Sequence, residues 1–133
     1  MKNVVGDDIC RNLPSSEKWR GSFYERLSEY GEWDSHEFWI LHLDLISTAK
    51  ALSQERAIDK QLACSVVLLK TKIDNLYAAH FNSFDVFKIV NLDVEDLLAF
   101  KERFDLAILG IFSGEVFPEE RFELMNPFLQ KDS

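Results

Sequence analysis

Residues 31–39 read GEWDSHEFW, and they combine the side chains that metal and acid–base chemistry use. An aspartate, a histidine and a glutamate lie between two tryptophans, and a second histidine, His42, follows. The zinc-protease helix pattern H-E-x-x-H needs its second histidine four residues after the first, on the same helix face. That position is Ile40, whereas His42 lies six residues from His36, about 600° around a helix. The spacing therefore does not support a metal site.

A helix start explains the same stretch. Asp34 is a favourable N-cap, and Glu37 stands three residues later, where a reciprocal capping bond forms. Trp33 precedes the cap and Phe38 follows it by four residues, which is the spacing of a hydrophobic staple. The pattern predicts a helix over residues 35–52.

Other catalytic patterns are missing from the chain. It contains no G-x-S-x-G, no phosphate-binding loop and no G-x-G-x-x-G, and its five glycines occur singly. Ferritin-like metal bundles use E-x-x-H pairs, but the positions three residues before the histidines hold Trp33, Trp39 and Tyr77. We therefore predict no enzyme, no cofactor and no catalytic or metal-binding residue. A metal- or carboxylate-dependent enzyme remains the rival hypothesis, and stoichiometric metal in the purified protein would favour it.

The bulk composition indicates a globular protein. The 133 residues suit one domain, and 47% of them are hydrophobic. The net charge of −8 repels phosphate backbones, so nucleic acid is a disfavoured partner. No apolar run approaches the roughly 20 residues of a membrane helix, and the N-terminus lacks the apolar core of a signal peptide. We expect a cytoplasmic protein without membrane contact.

Apolar periodicity predicts further helices. Ser22 and Glu25 have capping-box spacing, so one helix starts at Ser22 and ends at Gly31. A long helix over 55–80 carries a wide apolar stripe, so we expect this helix to be central and buried on more than one side. A further helix is predicted to start after an N-cap at Asn91 or Asp93.

The ends of the chain and one connector are harder to interpret. Residues 81–92 are aromatic and β-branched but alternate poorly, so a strand and an irregular connector both fit. The apolar run LAILGIF at 106–112 should be buried, and Pro118 can open a short last helix over 118–125. We predict an all-α fold of four to five helices, possibly with one short strand pair. Residues 1–14 are interpreted as a loosely attached arm and 15–133 as one helical domain.

The negative charge lies mainly at the C-terminal end. Residues 1–83 hold 10 Lys/Arg and 12 Asp/Glu, whereas residues 84–133 hold 5 and 11. A charged partner would therefore be basic, although acidity can serve solubility alone. The candidate partner-binding acidic surface is Asp93, Glu95, Asp96, Glu102, Asp105, Glu119, Glu120 and Glu123. A second candidate surface is the helix start with Glu32, Asp34, His36 and Glu37, where we expect His36 on the solvent side.

One family resemblance rests on short motifs. The segment GSFYERLSEYGEWDSHEFWIL at 21–41, with ERF at 102–104 and FSG at 112–114, resembles the immunity protein forty-one family of bacterial polymorphic-toxin systems. The likeness covers roughly residues 20–117 and leaves out residues 1–14 and the tail after Pro118.

The resemblance implies a small cytosolic antitoxin. Such a protein would bind the C-terminal domain of a polymorphic or contact-dependent growth inhibition toxin, and the family brings no catalytic residues with it. An acidic protein could block a basic, nuclease-type toxin domain by covering its nucleic-acid cleft. The alternative is a helical adaptor or regulatory subunit with a non-toxin partner, which a neighbouring gene without a toxin-like domain would favour.

Overall fold

Within residues 5–129, five α-helices and one short 3₁₀ turn make up the fold, which is all-α as the sequence predicts. The structure, a computed structural model, describes residues 5–129. Its elements are α1 (Asp7–Arg11), α2 (Phe23–Tyr30), α3 (Ser35–Ala51), α4 (Lys60–Phe81), α5 (Val94–Ser113) and the 3₁₀ turn Glu119–Arg121. No strand occurs in this part of the chain, so the possible strand pair is absent there and residues 82–92 form an irregular connector.

Side-chain caps set the starts of the four longer helices. Ser22, Asp34, Asp59 and Asp93 each accept a hydrogen bond from the backbone N–H three residues later. These bonds confirm the predicted caps at Ser22 and Asp34 and select Asp93 over Asn91 for α5. Because Asp59 caps α4, that helix begins at Lys60 rather than near residue 55.

Aromatic side chains fill the centre of the core. The rings of Trp33 and Phe38 lie 5.3 Å apart, which confirms the hydrophobic staple. Phe23 packs edge-on against Trp33 at 4.7 Å, and Phe100 of α5 packs at a tilt against the same ring at 4.9 Å. The staple of α3 is thus part of the contact with α2 and α5, and α3 packs most extensively against α5.

The N-terminal segment is docked rather than loose from residue 5 onwards. The carboxylate of Asp44 accepts bonds from the N–H groups of Gly6 and Ile9, each at 2.9 Å. Burial raises the pKa of Asp44, and these two bonds oppose the rise. Ile9 and Leu13 lie in the core. The prediction of a loosely attached arm is therefore wrong for residues 5–14, and residues 1–4 lie outside the described part.

The helix α4 is less buried than the sequence suggests. Only one stripe of it, including Val66, Leu69 and Ile73, enters the core. Val67 and Leu68 are 54% and 47% exposed, because α4 lies at the edge of the fold and not at its centre. Cys64, which the sequence places among apolar residues, is also exposed.

The apolar end of α5 is also less buried than the sequence suggests. Ile108 and Ile111 of the run at 106–112 are buried, whereas Leu109 is 56% and Phe112 is 47% exposed. One side of α5 therefore faces solvent along its whole length. In the described chain no helix combines the length and the apolar character that crossing a membrane requires.

The connector between α4 and α5 is held by side-chain hydrogen bonds. The amide of Asn91 accepts from the N–H of Trp33 at 2.8 Å and donates to its carbonyl at 2.9 Å. His80 accepts from the N–H of Ile89 through Nδ1, so this histidine is a helix-end residue. A backbone bond from Val90 to the carbonyl of Gly31 completes the attachment.

Gly31 allows this close approach, and Gly31→Ala should cost about 2 kcal/mol of unfolding free energy. Its φ of 65° is unfavourable for alanine, and a Cβ would collide with the carbonyl oxygen of Lys88. Gly21→Ala is the control, since its φ is 79° but its nearest neighbour is a side-chain atom of Arg11 at 3.3 Å and not the backbone. We expect Gly21→Ala to cost about 1 kcal/mol in urea unfolding. Equal losses in the two variants would contradict the role of the close approach.

Candidate functional site

Four of the eight carboxylates in the predicted acidic surface meet in one groove. Glu95, Asp96 and Glu102 of α5 lie opposite Glu123 of the C-terminal segment, and all four are exposed. We call this set the acidic groove. The groove is open, with a volume of about 580 Å³, and Phe122 and Leu124 form part of its wall.

The carboxylates of the acidic groove are available for a partner. Within residues 5–129, none of the four forms an ion pair with another side chain. The groove is also lined by Arg103 and Arg121, but Arg103 is ion-paired with Glu119, and Arg121 stacks on Phe117 at 4.9 Å. Several acidic side chains in one groove produce a local negative potential that attracts cationic groups.

An exposed apolar side chain borders the acidic groove. Leu98 is 55% exposed and follows Glu95 by three residues and precedes Glu102 by four. Residues at these separations are neighbours on a helix surface. Val94, one turn earlier, is 53% exposed. This side of α5 therefore combines apolar contact area with flanking negative charge.

The other four carboxylates of the predicted surface have different positions. Asp93 is the N-cap of α5, and Glu120 lines a separate groove together with Lys50 and Pro118. Asp105 belongs to an ion-pair network, and Glu119 is ion-paired inside the protein. The structure therefore does not bring all eight together in one groove, and two of them, Asp105 and Glu119, are paired with internal cations.

The network around Asp105 joins α4 to α5. Lys101 lies 2.7 Å from both Asp74 and Asp105, and Lys70 lies 2.9 Å and 3.3 Å from the same two carboxylates. Burial alone would raise the pKa of Asp74, but the two lysines lower it overall. Two positive and two negative charges alternate here, so this surface has no net charge to offer a partner.

Glu119 is part of a buried polar cluster that sequence reasoning missed. Its carboxylate lies 2.5 Å from Arg103, whose side chain is 3% exposed, and it accepts from the N–H of Asn126 at 2.7 Å. Arg103 and Asn126 both contact the buried ring of His42, at 3.2 Å and 2.9 Å. We call His42, Arg103, Glu119 and Asn126 the polar cluster.

The polar cluster fixes the C-terminal segment against the helices. Asn126 also donates to the carbonyl of Trp39 at 3.0 Å, and Arg103 stacks on Phe122 at 3.8 Å. The predicted helix over 118–125 is reduced to the 3₁₀ turn Glu119–Arg121, and the side chain of Glu119 turns inward to Arg103. This docking places Glu123 opposite α5 and so completes the acidic groove.

Burial changes the protonation of the polar cluster. It lowers the pKa of His42 to about 3, and the positive charge of Arg103 acts in the same direction. Burial also lowers the pKa of Arg103, an effect that Glu119 opposes. The ring of His42 is therefore neutral at pH 7, while Arg103 and Glu119 form a charged pair. Arg103 follows Phe100 by three residues and directly precedes Phe104, and this position beside two apolar residues is the sequence signal that could have indicated its burial.

The second candidate surface is largely neutralised. Glu37 is paired with Arg11 at 2.7 Å, and Arg26 lies 3.5 Å from Asp34 and 4.0 Å from Glu32. Asp34 is in addition the N-cap of α3. His36 is exposed as expected, and its ring lies 5.4 Å from that of Phe128. These contacts make the group a structural helix start and a weaker candidate than the acidic groove.

Two of the most exposed apolar side chains lie in the connector after α4. Phe84 is 95% and Val86 is 98% exposed. Their loop is nevertheless braced, because Asn82 accepts from the N–H groups of Phe84 and Asp85, both at 3.0 Å. Lys88 donates to the carbonyls of Asn82 and Asp85 at 3.0 Å and 3.1 Å. A held loop that presents two apolar side chains loses little conformational entropy on binding.

The potential metal-binding side chains do not converge in the described chain. Residues 5–129 contain no group of three or more His, Cys, Asp or Glu side chains placed to hold a metal ion. Cys10 and Cys64 are both free thiols on the surface. The structure instead places the acidic groove beside the exposed side of α5.

Comparisons with protein-family models, with curated proteins and with solved structures gave no significant match to this chain.

Proposed function

We propose that this protein is an immunity protein that binds and neutralises a cognate bacterial toxin domain. The acidic groove is the observation that carries the proposal, because it gathers Glu95, Asp96, Glu102 and Glu123, none of which forms a side-chain ion pair within residues 5–129. Support also comes from the net charge of −8 and from the motif resemblance over residues 21–41. The partner would be a basic protein domain of the nuclease type.

Charge would act mainly on the rate and the orientation of binding. A basic toxin domain carries its positive charge around the cleft that holds nucleic acid, and opposite fields accelerate association and fix its orientation. Carboxylates along α5 would then occupy the region where phosphates of the nucleic acid otherwise lie. Inhibition would follow from exclusion of the substrate, with one immunity protein per toxin domain.

Apolar contacts would supply much of the remaining affinity. Leu98 lies between two carboxylates of the acidic groove, so it would be surrounded by charge and shielded from water in a complex. The braced loop offers Phe84 as an aromatic anchor, and aromatic anchors often dominate binding energies. This combination of charge and anchors suits a single partner better than a general scaffold.

Reversal of charge in the acidic groove should weaken toxin binding about tenfold or more. The test variant carries Glu95→Lys, Glu102→Lys and Glu123→Lys, which leaves the N-cap Asp93 and the ion-paired Asp105 intact. The readout is rescue of cells that express the toxin-like domain encoded beside this gene, followed by titration of the purified pair. Loss of rescue with a folded variant supports the acidic groove as the binding site.

A matched control separates local contacts from overall charge. Glu17→Lys, Glu29→Lys and Glu55→Lys change the net charge equally at exposed positions away from the groove. We expect this variant to rescue growth. Equal weakening by both triple variants would mean that only long-range charge acts. A neighbouring domain that is not toxic, or toxicity that persists with the wild-type protein, would contradict the immunity function and favour an adaptor.

A further inference from the structure

The C-terminal segment is attached to the helices by polar side chains more than by apolar burial. Among residues 115–129, which we call the strap, only Asn126 is buried. Val116, Leu124 and Leu129 are partly buried against the core. Segments that bury little apolar area open locally at a lower free energy than the core of a protein does. The attachment of the strap therefore depends on the polar cluster.

Asn126 makes the most contacts between the strap and α3. Its amide nitrogen faces Nδ1 of His42 at 2.9 Å and donates to the carbonyl of Trp39 at 3.0 Å. Its amide oxygen accepts from the N–H of Phe128 at 2.8 Å, and this bond fixes the orientation of the amide. Asn126 therefore presents a donor to His42, and the amide cannot turn over without losing its bonds to Trp39 and Phe128.

The ring of His42 is enclosed by donors on both sides. Nε2 faces Arg103 of α5 at 3.2 Å, and Nδ1 faces Asn126 of the strap. A neutral imidazole offers one acceptor to these two donors, whereas a protonated ring offers none. Two carboxylates of the strap lie on this side of the ring. Glu119 is paired with Arg103, and Glu115 lines the small cavity beside His42.

We propose that the strap opens from the helices as a unit and that the charge state of His42 sets how firmly it is attached. In the closed strap a protonated ring would hold a positive charge against Arg103 and a proton against the amide donor of Asn126. The closed strap therefore requires a neutral ring. Opening moves Asn126 and Glu119 away, because both belong to the strap, and gives the ring and Arg103 access to water.

Opening of the strap would remove one wall of the acidic groove. Phe122, Glu123 and Leu124 line the groove opposite α5, and all three belong to the strap. A partner that occupies the groove would therefore bind the closed strap and stabilise it. This consequence rests on the proposed function, whereas the opening itself is a property of the free chain.

Amide hydrogen exchange of the purified chain in low urea tests whether the strap opens by itself. The strap is reported by the N–H groups of Asn126, Phe128 and Leu129, which are hydrogen-bonded to Glu119 and Asn126. We expect these amides to be at least about tenfold less protected than the buried amides of α5. Their exchange should also depend less on urea, because opening exposes less surface than unfolding does. Equal protection and equal urea dependence of the strap and α5 would overturn the proposal.

The pH dependence of the same exchange tests the role of His42. Between pH 7 and pH 5 the protection of the strap should fall by about 5-fold to 25-fold. The ring has a pKa of about 3 in the closed strap, and its pKa moves towards the ordinary 6.5 when the strap opens. In His42→Gln the fall should be no more than about twofold, since glutamine accepts a hydrogen bond and does not titrate. His36→Gln, at an exposed site of α3, should behave like the wild type. Equal falls in wild type and His42→Gln would overturn the role of His42.

Exchange in the presence of the neighbouring toxin-like domain separates this inference from the proposed function. If that domain binds, the amides of the strap should gain protection in the complex, and unchanged protection would overturn the link between the strap and the acidic groove. If that domain does not bind, the proposed function fails, while the exchange of the free chain still decides whether the strap opens by itself.

Discussion

Replacing Glu119 with alanine is expected to lower the free energy of unfolding by about 3 kcal/mol, because the change leaves a buried guanidinium without its counter-charge. Arg103 is 3% exposed and lies 2.5 Å from this carboxylate. The same carboxylate accepts from the N–H of Asn126, so the variant also leaves a backbone donor unsatisfied. Urea unfolding monitored by tryptophan fluorescence measures the loss.

The neighbouring glutamate provides the control for this substitution. Glu120 is exposed and has the same chemistry, so Glu120→Ala should change stability by no more than about 0.5 kcal/mol. Hydrogen exchange adds a local readout, since residues 118–129 should lose protection in Glu119→Ala and retain it in Glu120→Ala. A loss below about 1 kcal/mol for Glu119→Ala would mean that Arg103 reaches water easily in the native state.

A double variant tests whether the fold requires the buried ion pair itself or only requires that no buried charge is left unpaired. Replacing both partners, as Arg103→Met with Glu119→Leu, should recover most of the stability that Glu119→Ala loses, because no buried ion remains. If the double variant is as unstable as the single one, the hydrogen bonds of Arg103 to Leu124 and of Glu119 to Asn126 dominate instead.

Local chemistry made much of the fold predictable from the sequence. The caps at Ser22 and Asp34 act on residues three positions away, and the staple of Trp33 and Phe38 spans five. Glu95 and Glu102, which the sequence analysis assigns to the candidate acidic surface, are both exposed on α5. Contacts of this short range can be deduced without knowledge of how the helices pack.

Long-range contacts account for what the sequence did not reveal. The attachment of α1 depends on Asp44, which lies 38 residues from Gly6. The polar cluster joins His42 to Arg103 and Asn126 across 61 and 84 residues. The residues around His42 in the sequence form no pattern that predicts these partners. For the same reason Glu119, which resembles a surface carboxylate in the sequence, proved to be ion-paired inside the protein.

Acidification from pH 7 to pH 5 should cost about 2 kcal/mol of stability through His42 alone. Its pKa is about 3 in the folded protein and 6.5 ordinarily, chiefly because of burial and then because of Arg103. Between these two pKa values the unfolded chain binds a proton that the folded protein does not. Stability therefore falls as the pH drops below 6.5 and continues to fall until it approaches 3.

The geometry around the ring of His42 explains why protonation is so unfavourable. Nε2 faces the guanidinium of Arg103 at 3.2 Å, and Nδ1 faces the amide nitrogen of Asn126 at 2.9 Å. A neutral imidazole can accept a hydrogen bond at one of its nitrogens, whereas a protonated ring can accept at neither. The added proton would thus place a buried positive charge beside Arg103 and remove the one hydrogen bond that the neutral ring accepts from Arg103 or Asn126.

Comparison of His42→Gln with the wild type isolates this contribution. The pKa values of Asp8 and Asp44 are raised by burial, so these carboxyl groups stabilise the folded state as they take up protons, with the opposite sign. They remain in the variant, and glutamine provides an acceptor that does not titrate. The difference in unfolding free energy between wild type and variant should therefore shrink by about 2 kcal/mol from pH 7 to pH 5. His36→Gln, at an exposed site of the same helix, controls for the substitution itself. Parallel pH profiles for the wild type and His42→Gln would show that His42 is protonated in the folded protein without cost.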